Sequence, residues 1–150
     1  MPLEIDEVDK KILERLQDNA RMSFKKIAED LGVSESTVFV RVKKLQEQGV
    51  IQSFTAKVAP EAVGKGLTAF VLIKADPQGY LNTLENLRKI DDVYEVYDVT
   101  GNYYVIAKIR TGSREQLAKI IDSIGLIEGI SSTETAVVLR TTKEEMRIKI

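Results

Sequence analysis

The stretch from Ser23 to Gly49, SFKKIAEDLGVSESTVFVRVKKLQEQG, constrains the fold more than any other part of the chain. It reads as two short helices broken by one tight turn. Ser23 is placed to cap the first helix, Ile27, Ala28 and Leu31 fall on one face, and Gly32 stands where a helix stops. Ser34 then caps a second helix, and Val33 and Val38 have the spacing of a hydrophobic staple across its start. Ala28 is small where two helices must approach closely, and Gly32 takes a turn with φ > 0 at little steric cost. This spacing predicts a helix-turn-helix.

The second helix sorts its side chains by face. At 100° per residue, Val38, Val42 and Leu45 cluster within about 60°. Ser36, Thr37, Val40, Arg41 and Lys44 occupy a separate arc of about 140°. That arc is short and polar near the helix start and basic further along. Such chemistry suits a helix that enters the major groove of double-stranded DNA by its N-terminal end. Base-edge contact is expected from Ser36, Thr37 and Arg41, with Ser34 and Val40 in the same DNA-facing set. Phosphate contact is expected from Arg21, Ser23, Lys25, Lys43 and Lys44. A solvated face on an ordinary helical hairpin is the plainer reading of the same pattern.

Charge supports the groove reading by its distribution rather than its sum. The 150-residue chain carries a formal net charge of only −1. From Arg21 to Lys44, however, there are six basic residues against three acidic, whereas from Glu4 to Asp18 there are six acidic against three basic. This local polarity suffices for phosphate contact while predicting weak non-specific affinity. The chain has no cysteine and no histidine. Disulfides, thiol chemistry, the usual neutral-pH base and the commonest metal ligands are therefore missing, which argues against most hydrolytic and metal-dependent enzymes. No catalytic residue, metal site or cofactor is expected. No run of 18 apolar residues and no basic-then-apolar N-terminus occurs, so the expectation is a cytoplasmic protein without a membrane span or secretory signal.

Around the helix-turn-helix the chain divides. A first helix is expected from about Asp6 to Asn19, capped by Asp6 and packing through Val8, Ile12, Leu13 and Leu16. Val50, Ile51, Phe54, Ala56 and Val58 suggest extended chain after Gly49, a wing or a hinge strand, and Pro60 with Gly64-Lys65-Gly66 marks a boundary. The second half alternates. A strand spans Leu67–Ala75, and a helix with a Leu81, Leu84, Leu87 stripe follows Pro77 and Gly79. A strand from Val93 to Thr100 turns at Gly101-Asn102 into a return strand from Tyr103 to Ile109. A helix capped by Ser113 and a last strand from Ile130 to Thr142 complete it. The order βαββαβ is the ferredoxin-like arrangement, an antiparallel sheet with both helices on one face. Val, Ile and Tyr occur on both parities of these strands, so the other face is expected to be apolar and to be covered in a homodimer. The fold class is thus α+β, in three parts. Residues 1–50 form a three-helix, winged-helix-like DNA-binding domain, residues 51–65 a β linker, and residues 66–150 the ferredoxin-like domain.

With both halves in order, the chain resembles the Lrp/AsnC, or feast/famine, family of transcription regulators over essentially its whole length. Ile5-Asp6 with Asp9, Ile12-Leu13, Leu16-Gln17 and Asn19-Ala20-Arg21 resemble the family's opening helix. Ile27-Ala28 with Leu31-Gly32-Val33-Ser34 resembles its turn, and Arg41-Val42, Leu45 and Gly49-Val50-Ile51 its recognition helix and exit. Thr100-Gly101 with Tyr103 resembles the loop of its effector domain. There are two departures. Prolines common in the first turn of the family's recognition helix are replaced by Glu35-Ser36-Thr37. The loop often written Thr-Gly-Asp-Tyr-Asp is here Thr100-Gly101-Asn102-Tyr103-Tyr104, without either acid.

The resemblance implies a regulator whose second domain dimerises, assembles dimers into an octamer or similar disc, and binds a small amino acid where dimers meet. On that reading Gly101 and Asn102 offer loop amides to the effector's carboxylate. Asp98, Asp122 and Glu134 are the candidates for its amine, and Thr133 and Thr135 add hydroxyls. Thr100, Tyr103 and Tyr104 complete the loop. Two other readings compete. One is a metabolite-sensing ferredoxin-like module whose N-terminal helices dock a protein. The other is an architectural protein that wraps DNA.

Overall fold

The computed structural model describes residues 4–150, so residues 1–3 of the expected first domain lie outside the described residues. The chain divides into two units. One comprises the chain up to Lys57 together with Lys143–Ile150, and the other is Val58–Thr142.

Three helices make the first unit: α1 (Glu7–Asp18), α2 (Phe24–Leu31) and α3 (Glu35–Glu47). Each begins where a side chain satisfies the free amides of a first turn. Asp6 accepts from the Asp9 amide, and Asp9 accepts in return from the Asp6 amide, forming a capping box. Ser23 accepts from Lys26 N and Ser34 from Thr37 N, each at 3.1 Å. Gly32 ends α2 in the left-handed conformation, φ 67°, and Val33 N closes the turn on Ala28 O at 3.1 Å. Ile12, Leu16, Ile27, Ala28, Val38 and Val42 form the core, with Val8, Leu31, Val33 and Ile51 packed around it. The Arg15 guanidinium meets Asp30 at 3.5 Å, joining α1 to α2.

One expectation for this unit is corrected. Between Gln52 and Ala59 the chain pairs with no strand, so the expected β linker contributes no ladder here; Pro60–Val63 is a 3-10 turn instead. The last eight residues, read from the sequence as part of the second domain, make their contacts with the helical unit. The Gln17 side-chain amide exchanges two hydrogen bonds with the backbone of Ile148, donating to its carbonyl at 2.9 Å and accepting from its N–H at 2.7 Å. Arg147 pairs with Asp18 at 2.5 Å, and the Lys57 ammonium donates to Glu144 O at 2.9 Å.

The second unit holds β1 (Leu67–Ala75), α4 (Tyr80–Leu87), β2 (Val93–Asp98), β3 (Val105–Thr111), α5 (Arg114–Gly125) and β4 (Ile130–Val137). The sheet order is β2-β3-β1-β4 with every neighbouring pair antiparallel, which is the ferredoxin-like order. Alternation along β1 and β3 buries Ala69, Val71, Ile73, Val105, Ala107 and Ile109 under Leu87 of α4 and Leu117 and Ile124 of α5.

Three details differ from expectation. On α4 the buried residues are Thr83 and Leu87, while Leu81 is 78% exposed. Spacings of three twice over rotate Leu81 about 120° away from Leu87. The β2–β3 turn is not a two-residue hairpin: β2 ends at Asp98, β3 starts at Val105, and Val99 N closes the intervening loop on Tyr104 O at 2.9 Å. The sheet face away from the helices is also not uniformly apolar. Tyr97, Ile106 and Leu72 form an apolar run that ends on Glu134 of β4, and the next row pairs Phe70 with Lys108, whose ammonium lies 3.6 Å from Glu95.

Candidate nucleic-acid interface and effector site

The exposed side of α3 is defined by what lies behind it. Val38, Val42 and Leu45 are buried, and Ser36, Phe39, Val40, Lys43 and Lys44 are exposed. The remaining residues of the expected DNA-facing set are engaged within the protein. Ser34 Oγ lies 2.7 Å from Thr37 Oγ1 and 3.0 Å from Ser36 Oγ while capping the helix, so the Ser34 and Thr37 hydroxyls serve the helix start.

Arg41, expected at base edges, instead points along the flank facing α1. Its Nη1 meets Asp6 Oδ2 at 2.6 Å and Asp9 Oδ1 at 2.9 Å. These acids raise the Arg41 pKa further, and its guanidinium, followed by the Asp9 amide, holds the Asp6 carboxyl below its ordinary 3.8. The physical reason is charge compensation: Asp9 is 6% exposed, and a carboxylate so placed requires a cation.

Arg21, Ser23 and Lys25 are exposed around the start of α2. Phe24, between them, packs edge-on against Phe39 of α3, ring centroids 6.3 Å apart, which fixes the beginning of α2 beside the middle of the recognition helix. Phe39 was not singled out from the sequence, where a phenylalanine next to Val38 reads as more core. Its 55% exposure marks it as surface.

In the second unit the expected effector residues fall into separate places. Tyr103, beyond the turn at Gly101, donates its hydroxyl to Glu134 of β4, and the Lys74 ammonium stands 5.3 Å from the Tyr103 ring centroid. Glu134 and burial push the Tyr103 pKa up. Thr133 and Thr135, opposite Ile73 and Val71, lie on the helix-covered parity of β4 rather than beside Glu134. Asp122 is exposed on α5. Asp98 lines an open groove of about 860 Å³ between α4 and β2, with Leu84, Arg88, Tyr94 and Val96. Tyr80 lies near it with a buried hydroxyl that makes no well-formed hydrogen bond; burial, and then the Asp98 carboxylate, push its pKa up to about 12. Tyr104 packs edge-on against the Tyr80 ring at 6.5 Å. Thr100, Gly101 and Asn102 are exposed in the loop, with Gly101 at φ 116°. The structure thus brings together Tyr103, Glu134 and Lys74, the last unforeseen, and leaves Asp98 and Asp122 elsewhere. Among the described residues no helix is long and apolar enough to cross a membrane.

A capped helix-turn-helix with an exposed, basic recognition helix, joined to a ferredoxin-like domain, defines a DNA-binding transcription regulator. Residues 5–52 match the winged helix-turn-helix DNA-binding family, and residues 68–148 match the Lrp/AsnC ligand binding domain. The chain belongs to the Lrp/AsnC family and is a regulator rather than an enzyme. It is 41% identical over 150 residues to the HTH-type transcriptional regulator FL11 of Pyrococcus horikoshii, covering 100% of this chain and 99% of that protein. The solved structure of E. coli AsnC superposes with a TM-score of 0.90 at 34% identity, covering 96% and 98% of the two chains. The leucine response regulatory protein of Mycobacterium tuberculosis superposes at 0.84 with 29% identity, covering 93% and 96%.

Proposed function

We propose that this regulator binds DNA as a twofold homodimer in the cytoplasm, and that a small amino acid bound by its second domain shifts its assembly or its DNA affinity. The two recognition helices of the dimer read half-sites about one helical turn apart. The observation that carries the DNA half is the outward stripe of α3, where Ser36, Val40, Lys43 and Lys44 stand exposed over a buried seam. Ser36 reaches base edges, while Arg21, Ser23, Lys25, Lys43 and Lys44 hold phosphates. Lys43→Ala and Lys44→Ala, each removing one phosphate contact per half-site, should each reduce the slope of log affinity against log salt by about 1.8 for the dimer and weaken all sequences alike. Binding titrations at several salt concentrations measure this, and an unchanged slope would remove that lysine from the phosphate contacts.

The effector half rests on the match to a ligand-binding domain and on the loop from Val99 to Tyr104. Gly101 and Asn102 direct amides to a carboxylate, and Glu134, Asp98 or Asp122 receives the amine. Dimers further associate into octamers or a related ring, with the effector at the dimer–dimer contact. The coupling requires only that the effector bind one assembly better than another. The test is thermal unfolding against each of the twenty amino acids. A ligand at ten times its dissociation constant stabilises by about 1.4 kcal/mol when only the folded state binds it. One or two amino acids should raise the midpoint. A flat response across the panel at millimolar concentration would sink the amino-acid reading and leave the DNA reading intact.

A further inference from the structure

We propose that Val40 is an apolar base reader that packs against the 5-methyl group of a thymine in each half-site, on a platform stiffened by Phe39. The inference rests on the DNA-binding reading and adds the chemistry of one contact.

With Val38, Val42 and Leu45 as the buried side of α3, the opposite direction passes through Ser36, Val40 and Lys43 within an arc of about 60°. Arg41 stands about 100° from Val40 around the helix axis and Thr37 about 60°. Arg41 is also held by Asp6 and Asp9, while the Thr37 hydroxyl, like that of Ser36, lies within hydrogen-bond reach of Ser34 Oγ. The polar residues first expected at the bases are therefore not the most outward ones. Nearest the direction opposite the buried seam stands a valine, 62% exposed, beside a phenylalanine that is 55% exposed.

Two adjacent exposed large apolar residues on a recognition helix gain from an apolar partner, and DNA offers few. In the major groove the thymine methyl is the only such group on the base edges. The alternative occupant, another protein surface, fits the surroundings less well. Lys43 and Lys44 stand one turn beyond Val40, Ser36 one turn before it, and Arg21 and Lys25 frame the start of α2 next to Phe39. This cationic and hydroxyl-bearing frame complements phosphates and base edges. On the flank, Arg41 offsets one of the two charges of Asp6 and Asp9, and Lys44, lining the same groove as Val40, adds a second cation beside them. The edge contact of Phe39 on Phe24 holds the ring in place, so the platform is ordered before DNA arrives.

The test uses full-length protein and a duplex selected from a random pool. Each thymine of that site is replaced in turn by deoxyuridine, which removes the methyl and nothing else. At one position per half-site the replacement should weaken binding about fourfold, the value of one buried methyl. Val40→Ser should bind thymine and uracil versions of the site equally while keeping the wild-type salt dependence. Val40→Thr, which retains one methyl, should restore part of the discrimination. The exposure of Val40 makes all three proteins comparable in stability, and a thermal scan checks this. Selected sites with no sensitive thymine, or a Val40→Ser protein that still discriminates by the wild-type factor, would overturn the assignment. A Val40→Ser protein whose subunit assembly falls apart while its discrimination persists would place the patch in a protein contact, again overturning it. Failure to enrich any duplex would remove the DNA reading itself, a result distinct from both.

Discussion

Ile27→Ala should destabilise the helical unit by about 2–5 kcal/mol and take DNA binding with it. Ile27 is fully buried where α1, α2 and α3 meet, in a cluster with Ile12, Leu16, Ala28, Val38 and Val42. Truncation removes three carbons from a site whose walls come from three separate helices, so the cavity has little freedom to close. The loss is large relative to what it acts on. A unit of about 65 residues has of the order of 3–10 kcal/mol of stability if it follows the usual value per residue. The recognition helix carries its readers on one side only because the other side is packed on this cluster. Urea unfolding followed by helical circular dichroism gives the stability change. Ile109→Ala, at a fully buried site in the sheet, is the matched control and should act on the second unit. A change below about 1 kcal/mol for Ile27→Ala would mean that the three helices do not close on one core as described.

What was legible in the sequence follows the range of the interactions involved. The caps at Asp6, Ser23 and Ser34, the stop at Gly32 and the buried seam of α3 are all set by residues within four positions of one another, and all are found as expected. β1 runs from Leu67 to Ala75 as its apolar run indicates. The features with no sequence signature sit where the deciding partner is remote. A helix wheel orients Arg41 about its own axis but does not say that the start of α1 lies along that flank, more than thirty positions away in sequence. The Leu81, Leu84, Leu87 stripe treats a three-residue spacing as one face, and the packing of α4 selects Thr83 instead. Val, Ile and Tyr on both strand parities imply two apolar faces. The register shift between Val93 and Glu95 moves Tyr94 out of the alternation, and Lys108 and Glu95 fill the row beside Phe70. The joining of Gln17 to the backbone of Ile148 spans 131 positions and has no periodic signature at all.

Arg41→Ala should cost the helical unit about 1–3 kcal/mol, and on DNA it should weaken every sequence by a similar factor rather than relax the choice of base. The guanidinium side chain is 30% exposed and the Asp9 side chain 9%, so the substitution leaves a nearly buried carboxylate without its cation. The Asp6 arm, 55% exposed, adds little to that figure because water screens it. Two unneutralised carboxylates then lie on the flank of the recognition helix and repel the phosphates of any duplex. Both contacts come from the one Nη1 atom at the far end of the arginine, which the shorter-reaching lysine ammonium does not place identically, so Arg41→Lys should recover much of the DNA affinity and less of the stability. The pH dependence supplies an independent check. The wild-type Asp6 carboxyl titrates below its ordinary 3.8 because Arg41, and then the Asp9 amide, favour its charged form. Its contribution to stability is therefore complete above about that ordinary value and is lost as the pH falls through the lowered one. In Arg41→Ala the Asp6 titration, followed by NMR, should move back up and this part of the acid sensitivity should shrink. If the variant instead keeps its stability and its Asp6 titration while losing discrimination at one base pair, the ion pair gives way on DNA and Arg41 reads a base after all.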